Sequence, residues 1–373
     1  MNWTRVREVV RKEFIQLFRD RKNRPLLIVA PLIQLILFGY VVTTDVRDIT
    51  VGLLDLSQTR ESRMFVDAID GNKTFRITEV VEKVDDLDAL LMMRKVNLGI
   101  RIPPDFSAMI RKGRTAEIQI LADGSMSNMA SVRISYMMTV LERFNTRMIQ
   151  EMYPVHMQYG KIDDRVRTWY NPNLDSRNFY VPGIVAFLIM LLVMLLTSMA
   201  IIREKESGTM EQLMVTPLKP IEMILGKTIP FILIAQVQMI LVTIFAIFWF
   251  DIPLVGSIPL LLVATCLFLL STLGIGLFIS SVSATQQQAM MTTFFFILPF
   301  FMLSGFVFPV ANMPEFVQWL TYLNPLKYFL IIIRGIFLKG TGWDALWPQF
   351  VGLFVLGMVV FWGAVRLFRK RLD

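Results

Sequence analysis

The stretch "FYVPGIVAFLIMLLVMLLTSMAIIREKESGTMEQLMVTPLKP" (179–220) changes character at a single point. From Phe179 to Ile202 there is no charge, and that is enough apolar chain to cross the ~30 Å hydrocarbon core as a helix of about 20 residues. Arg203, Glu204, Lys205, Glu206 and Ser207 follow at once, then a Gly-Thr pair and two prolines. Thr209 to Gln212 fits a capping box, in which the Thr209 hydroxyl accepts the Gln212 amide and the Gln212 side chain reaches back. Pro217 ends what Thr209 starts, so the helix has about two turns and is too short to be stable alone. Met210, Leu213 and Met214 share one face, with Glu211 turned away. Spacing alone leaves two readings open for that face: docking into a groove, or resting on the lipid surface. Pro220 suits the first turn of a following helix that carries Glu222, Gly226 and Lys227 into a membrane.

The rest of the chain agrees with a bilayer. Its 373 residues are 54% hydrophobic and only 18% charged, against about 25% charged in an ordinary soluble domain. Apolar runs at 26–44, 179–202, 228–250 and 345–365 are long enough to span. The 63 residues between Asp251 and Glu315 carry no charge, and the polar turn at 281–288 divides them into spans near 257–280 and 288–308. Six crossings result. The expected fold is an all-α polytopic membrane protein of six transmembrane helices, with an α+β domain inserted outside the cytoplasm.

Charge sets the expected orientation. Residues 45–178 hold 19 basic and 19 acidic residues, so the whole net charge of +8 lies in the remainder. It sits beside apolar spans, which fits the positive-inside rule better than a nucleic-acid-binding face. Eight Lys and Arg precede the first span, and Arg366, Arg369, Lys370 and Arg371 follow the last. Both termini are therefore expected on the cytoplasmic side. Residues 1–25 are expected to form an amphipathic elbow helix on the inner leaflet, with Trp3, Val6, Val10, Phe14 and Leu17 on its apolar face, rather than a cleavable signal peptide. Residues 367–373 form the cytoplasmic tail. A seventh span over 325–338 would bury Lys327 and Arg334 and put the C-terminal basic cluster outside, so the segment is read as re-entrant or interfacial.

In the 45–178 segment, "ITVGLLDL" (49–56), "LGIRIPP" (98–104) and "AEIQILADG" (116–124) read as strands, and 131–152 as an amphipathic helix. The acidic residues Glu79, Glu82, Asp85, Asp86 and Asp88 lack calcium-loop spacing and read as a solvated helix face.

Several chemistries are missing from the sequence. One histidine (His156) and one cysteine (Cys266) leave no histidine-cysteine metal cluster, no intrachain disulfide and no Ser-His-Asp set. Gly-Lys-Thr at 226–228 has the ending of a phosphate-binding loop, but position 221 is isoleucine where that loop needs glycine. The six spans hold no Asp, Glu or His for an ion relay; Gln34, Gln236 and Gln238 are read as interhelical hydrogen-bonding groups. Any transport energy must come from a partner.

"REKESGTMEQLMVTPLKPIEMILGK" (203–227) resembles the first cytoplasmic loop of ABC type-2 exporter permeases. "WYNPNLD" (169–175), "STLGIGLFISSVSATQQQA" (271–289), "LSGFVFPVANMP" (303–314) and "NPLKYFLIIIRGIFLKG" (324–340) agree, so the resemblance covers essentially the whole chain. It is nearest to the bacterial drug and cation exporters with a large extracytoplasmic loop. The resemblance implies a coupling loop at 203–221, with Arg203, Glu204, Glu206, Gly208, Thr209, Met210, Glu211, Leu213, Met214 and Pro217 coupling to an ABC ATPase subunit. It implies an extracytoplasmic re-entrant segment at 309–340, and a gate formed by Ser304, Gly305, Pro309, Pro314, Asn324, Pro325, Lys327 and Arg334. It also implies a half-transporter of two permease chains, identical or paralogous, with no cofactor in this chain and ATP and Mg²⁺ bound by the partner. The expected location is the inner membrane, and a periplasmic adaptor is a further candidate partner. For Gly274, Gly276, Gly305, Pro309 and Pro314 the plainer reading is close helix packing and chain breaks. A receptor sensing through 45–178, a scaffold, and a lipid or polysaccharide permease are the competing functions.

Overall fold

The apolar runs fold as helices, each satisfying its own backbone as a bilayer requires. The computed structural model describes residues 2–19, 23–41, 48–72, 74–152, 169–171, 175–208 and 219–370. The chain divides into two compact units, Met1–Thr43 with Arg167–Asp373, and Thr44–Val166.

The first unit starts with α1 (Trp3–Arg19) and α2 (Asn23–Val41), and resumes with α7 (Ser176–Glu206), α8 (Pro220–Phe250), α9 (Ile258–Val282) and α10 (Gln286–Met302). After these come α11 (Glu315–Thr321), α12 (Pro325–Arg334), a π-helical turn at Gly335–Lys339 and α13 (Trp343–Lys370). Among the described residues, four helices (α7, α8, α9 and α13) are long and apolar enough to cross a membrane, and a fifth crossing is counted if α11 and α12 make one span. That pair is bent by 80°, at the Asn324-Pro325 break where proline interrupts the amide ladder. The remaining expected spans are helical but shorter: α10 has 17 residues, and the apolar part of α2 is Val29–Val41. The expected turn at 281–288 does separate α9 from α10, with Thr285 accepting the Gln288 amide at 3.2 Å.

Helix packing in this unit relies on small residues. Gly274 in α9 faces the backbone of α13, where an added Cβ would lie 2.8 Å from the Phe361 nitrogen and 2.9 Å from its Cα. Gly276 lies against Thr197 and the Met194 carbonyl of α7. Gly305 has φ +83°, so its role is conformational as well. Replacing Gly274 by alanine is expected to cost ~1–3 kcal/mol through forced helix separation. Melting in detergent reads it out, with Gly363→Ala, which points into open space, as the unaffected control.

The second unit is a four-stranded sheet in the order β2-β1-β3-β4, from β1 (Ile49–Asp55), β2 (Phe75–Val80), β3 (Leu98–Ile102) and β4 (Gln119–Ala122). β1 runs parallel to β2 and β3, joined through α3 (Arg60–Asp70) and α4 (Val84–Met92), and β4 is antiparallel to β3. α5 (Phe106–Arg111) precedes β4, and α6 (Ser127–Met152) lays Met137, Val140, Phe144 and Met148 on the same core as Val51, Ile100 and Phe65. Arg111 donates from Nε and Nη2 to the Glu61 carboxylate at 2.9 and 3.1 Å, tying α5 to α3 and holding that carboxyl down at about 2. The three expected strands and the long helix are present; β2 was not anticipated. Glu79 belongs to β2 and only Asp85, Asp86 and Asp88 to a helix, so the acidic run is not one helix face. Ser176–Asn178 belong to α7, which narrows the inserted unit relative to 45–178.

Candidate coupling site at the loop roots

Residues 209–218 lie outside the described residues, and with them Thr209, Met210, Glu211, Leu213, Met214 and Pro217. What the structure describes is how the two ends of that loop are held. At the end of α7, Glu204 accepts Lys12 Nζ at 2.8 Å through Oε1, and its Oε2 lies 2.5 Å from Lys227 Nζ. Lys227 also reaches Glu13 Oε1 at 3.3 Å. Glu13, Glu204 and Lys227 are only 5%, 3% and 2% exposed. Lys12, Glu204, Lys227 and Glu13 therefore form one alternating chain of charges, and each buried carboxylate faces a cation, as burial demands.

Two further contacts complete the anchorage. Glu222, at the third position of α8, accepts the Lys219 amide at 3.2 Å and the Asn2 amide at 2.7 Å, with Arg5 at 3.9 Å. Gly226 allows α1 to lie close, since a Cβ there would meet the Val9 side chain at 2.5 Å. Glu206 faces the other way, and its carboxylate accepts the Gln286 backbone amide at 2.8 Å and the Gln286 side chain. The start of α10 is thus tied to the end of α7. Arg203 borders a cavity described below, and Gly208 turns the chain at φ +72° with open space around it.

The sequence reading gave Lys12, Glu13 and Gln286 no part in this site and took Lys227 only as the start of a span. The structure buries Val6, Val9, Glu13 and Leu17 of α1; Val10 and Phe14 are half-buried and Trp3 is exposed. Glu13 on that stripe was the available signal: a carboxylate among apolar neighbours at helical spacing implies a buried cation.

The residues assigned to a gate gather around the α11–α12 bend. Asn324 is buried, accepts the Leu326 amide at 3.0 Å and donates to the Phe300 carbonyl at 2.7 Å, which fixes the start of α12 at Pro325. Lys327 donates to Thr321 Oγ1 at 2.8 Å and lies 3.7 Å from the Tyr322 ring centroid. Arg334 covers the Phe179 ring at 3.7 Å and donates to the carbonyls of Phe179 (3.3 Å) and Gly305 (3.4 Å). Each cation thus has an aromatic face and a polar partner, a cheaper state than bare burial. Ser304 accepts the Phe306 amide at 3.2 Å, beside Gly305. Pro309 and Pro314 immediately precede the Val310–Asn312 turn and α11.

A cavity of about 480 Å³ opens between α1, α2, α7, α8 and α10. Leu188, Leu192 and Phe231 are among its apolar walls, and Glu13, Gln34 and Arg203 supply polar groups.

A bundle of helices long and apolar enough to cross a bilayer is the architecture of a multi-pass membrane protein. The chain belongs to the ABC-2 family transporter proteins, whose family pattern matches residues 25–366. It is 33% identical over 369 residues to the probable multidrug ABC transporter permease YbhR of Escherichia coli K12, covering 99% of this chain and 98% of that protein. The probable multidrug permease YbhS of the same organism is 33% identical over 346 residues, covering 91% and 90%. The ABC transporter G family member 20 of Dictyostelium discoideum is 22% identical over 361 residues, 94% of this chain but 48% of that longer protein. The chain is accordingly a multi-pass membrane permease, and membership of the family implies an ABC ATPase partner.

Proposed function

We propose that this chain is the membrane-spanning half of an ATP-driven exporter that moves amphipathic, drug-like compounds out of the cytoplasm. The observation that carries the reading is the anchorage of 203–220 at both ends, through Glu204 and Glu206 on one side and Glu222 and Lys227 on the other. A loop so rooted passes force from a docked ATPase into α7, α8 and α10 together. Six helices cross the inner membrane, α2 and α10 included, with α11 and α12 re-entrant and gating the outer side. ATP and Mg²⁺ bind the partner, and a second permease chain, identical or paralogous, completes the pathway. The multidrug description of YbhR and YbhS, and the apolar cavity with its few charged groups, support an amphipathic cargo. An ATPase is expected to copurify with the chain in detergent, and inverted vesicles carrying both to accumulate ethidium only with ATP. Accumulation without hydrolysis would refute the reading. Photo-crosslinking of azido-ATP to the purified chain alone should give no adduct, because a complete phosphate loop is missing.

Orientation has its own test. With Cys266 replaced by serine, a cysteine at Asn72 should react with an impermeant maleimide in intact cells, and one at Asp373 only after permeabilisation. Labelling of position 373 from outside would reverse the topology.

A further inference from the structure

Of Gln34, Gln236 and Gln238, Gln236 makes an interhelical hydrogen bond through its Nε2 alone, its Oε1 being buried without a partner. Its Nε2 donates to the Leu262 carbonyl at 3.1 Å and contacts Cys266 Sγ at 2.8 Å. Gln238, two residues on, does not. It is 5% exposed, and both its Nε2 and its Oε1 are buried with no hydrogen-bond partner. It lines a cavity of about 240 Å³ between α1 and α8, separate from the larger one at α7 and α10. The other walls are apolar: Phe14 and Phe18, stacked with ring centroids 6.2 Å apart, and Leu233, Val237 and Leu241 on α8.

A buried carboxamide with both ends unsatisfied inside an apolar cavity is costly unless a ligand completes it. The lining restricts what that ligand is. Gln238 is the one polar side chain among the cavity's walls, and none of them carries a charge. A phosphate or carboxylate group would be stranded there without a counter-charge, and an acyl chain offers the amide nothing. A single neutral hydroxyl answers both atoms, donating to Oε1 and accepting from Nε2, while the phenylalanine rings cover a flat apolar body. We infer that the α1–α8 cavity is a binding site for neutral lipophilic alcohols and phenols entering from the bilayer, with Gln238 as the recognising group.

This inference stands apart from the export reading, since it concerns binding by the chain itself and is measured without nucleotide or ATPase. The full chain in lipid nanodiscs is photolabelled with para-benzoylbenzyl alcohol, and separately with para-methylbenzophenone, which has the same body without the hydroxyl. Adducts are located by peptide mapping. Saturable labelling of the α1 and α8 walls is expected from the alcohol, weaker by about tenfold from the methyl compound, the value of two hydrogen bonds. Gln238→Leu should bring the alcohol down to the level of the methyl compound, and Leu241→Trp, which fills the cavity, should abolish both signals. Labelling that does not saturate, or that is equal for the two probes on the unaltered protein, would mean that bulk lipid fills the cavity and would overturn the assignment whether or not the variants fold.

Discussion

Lys227→Met is expected to lower the stability of the protein more than any other single substitution at the loop roots. The change takes from Glu13 the cation described beside it and from Glu204 one of its cations, and both glutamates are buried. Removing one partner from a buried ion pair typically costs ~3–5 kcal/mol, because the other charge remains buried and uncompensated. The loss should appear as a lower melting temperature in detergent and as weaker stimulation of the ATPase by transported compound. Adding Glu13→Leu to Lys227→Met removes the stranded charge as well, so the double variant should recover much of the stability while Lys12 still holds Glu204. Recovery of that kind identifies the network as the cause. A Lys227→Met protein that melts like the unaltered one would show that these charges are solvated and anchor nothing.

The second large effect is expected within the loop itself. If Met210, Leu213 and Met214 insert into a groove on the ATPase, Leu213→Asp removes an apolar anchor and buries a charge in its place. Loss of such an anchor costs ~2 kcal/mol or more, so ATPase capture should fall about 30-fold. Thr209→Ala, which removes only the helix cap, should cost about 1 kcal/mol and be correspondingly milder. The melting temperature separates this from the first prediction: if the face serves docking alone, Leu213→Asp should leave it unchanged. Undiminished capture of the ATPase by Leu213→Asp, at equal membrane expression, would assign the helix to the lipid surface instead.

What could be read from the sequence followed from local pattern. The apolar runs located the helices, the turn at 281–288 separated α9 from α10, and short apolar runs closed by turn residues found β1, β3 and β4. The 80° bend between α11 and α12 was not read from the sequence, which marked 325–338 only as a re-entrant or interfacial segment. The interactions that could not be read this way are between residues far apart in the chain. Lys12 and Glu13 look like two solvated charges on a basic helix, and nothing near them names Glu204 or Lys227 as partners. Lys227 itself looked like the boundary of a span, whereas it is among the most buried charged groups described. The three glutamines appeared equivalent in sequence, and only packing separates Gln236, with partners across the α8–α9 interface, from Gln238, with none.

The distance along the chain between α1 and its partners also sets an order of events during synthesis. Lys12 and Glu13 leave the ribosome about 190–215 residues before Glu204 and Lys227, which at ~5–20 residues per second is an interval of about 10–40 s. Throughout that interval Lys12 and Glu13 lack the partners they have in the folded chain, while the inserted domain and α7 are made. The anchorage can form only when α8 arrives. A nascent chain stalled before residue 227 should therefore carry an α1 still open to protease, and one stalled after α8 has emerged should not.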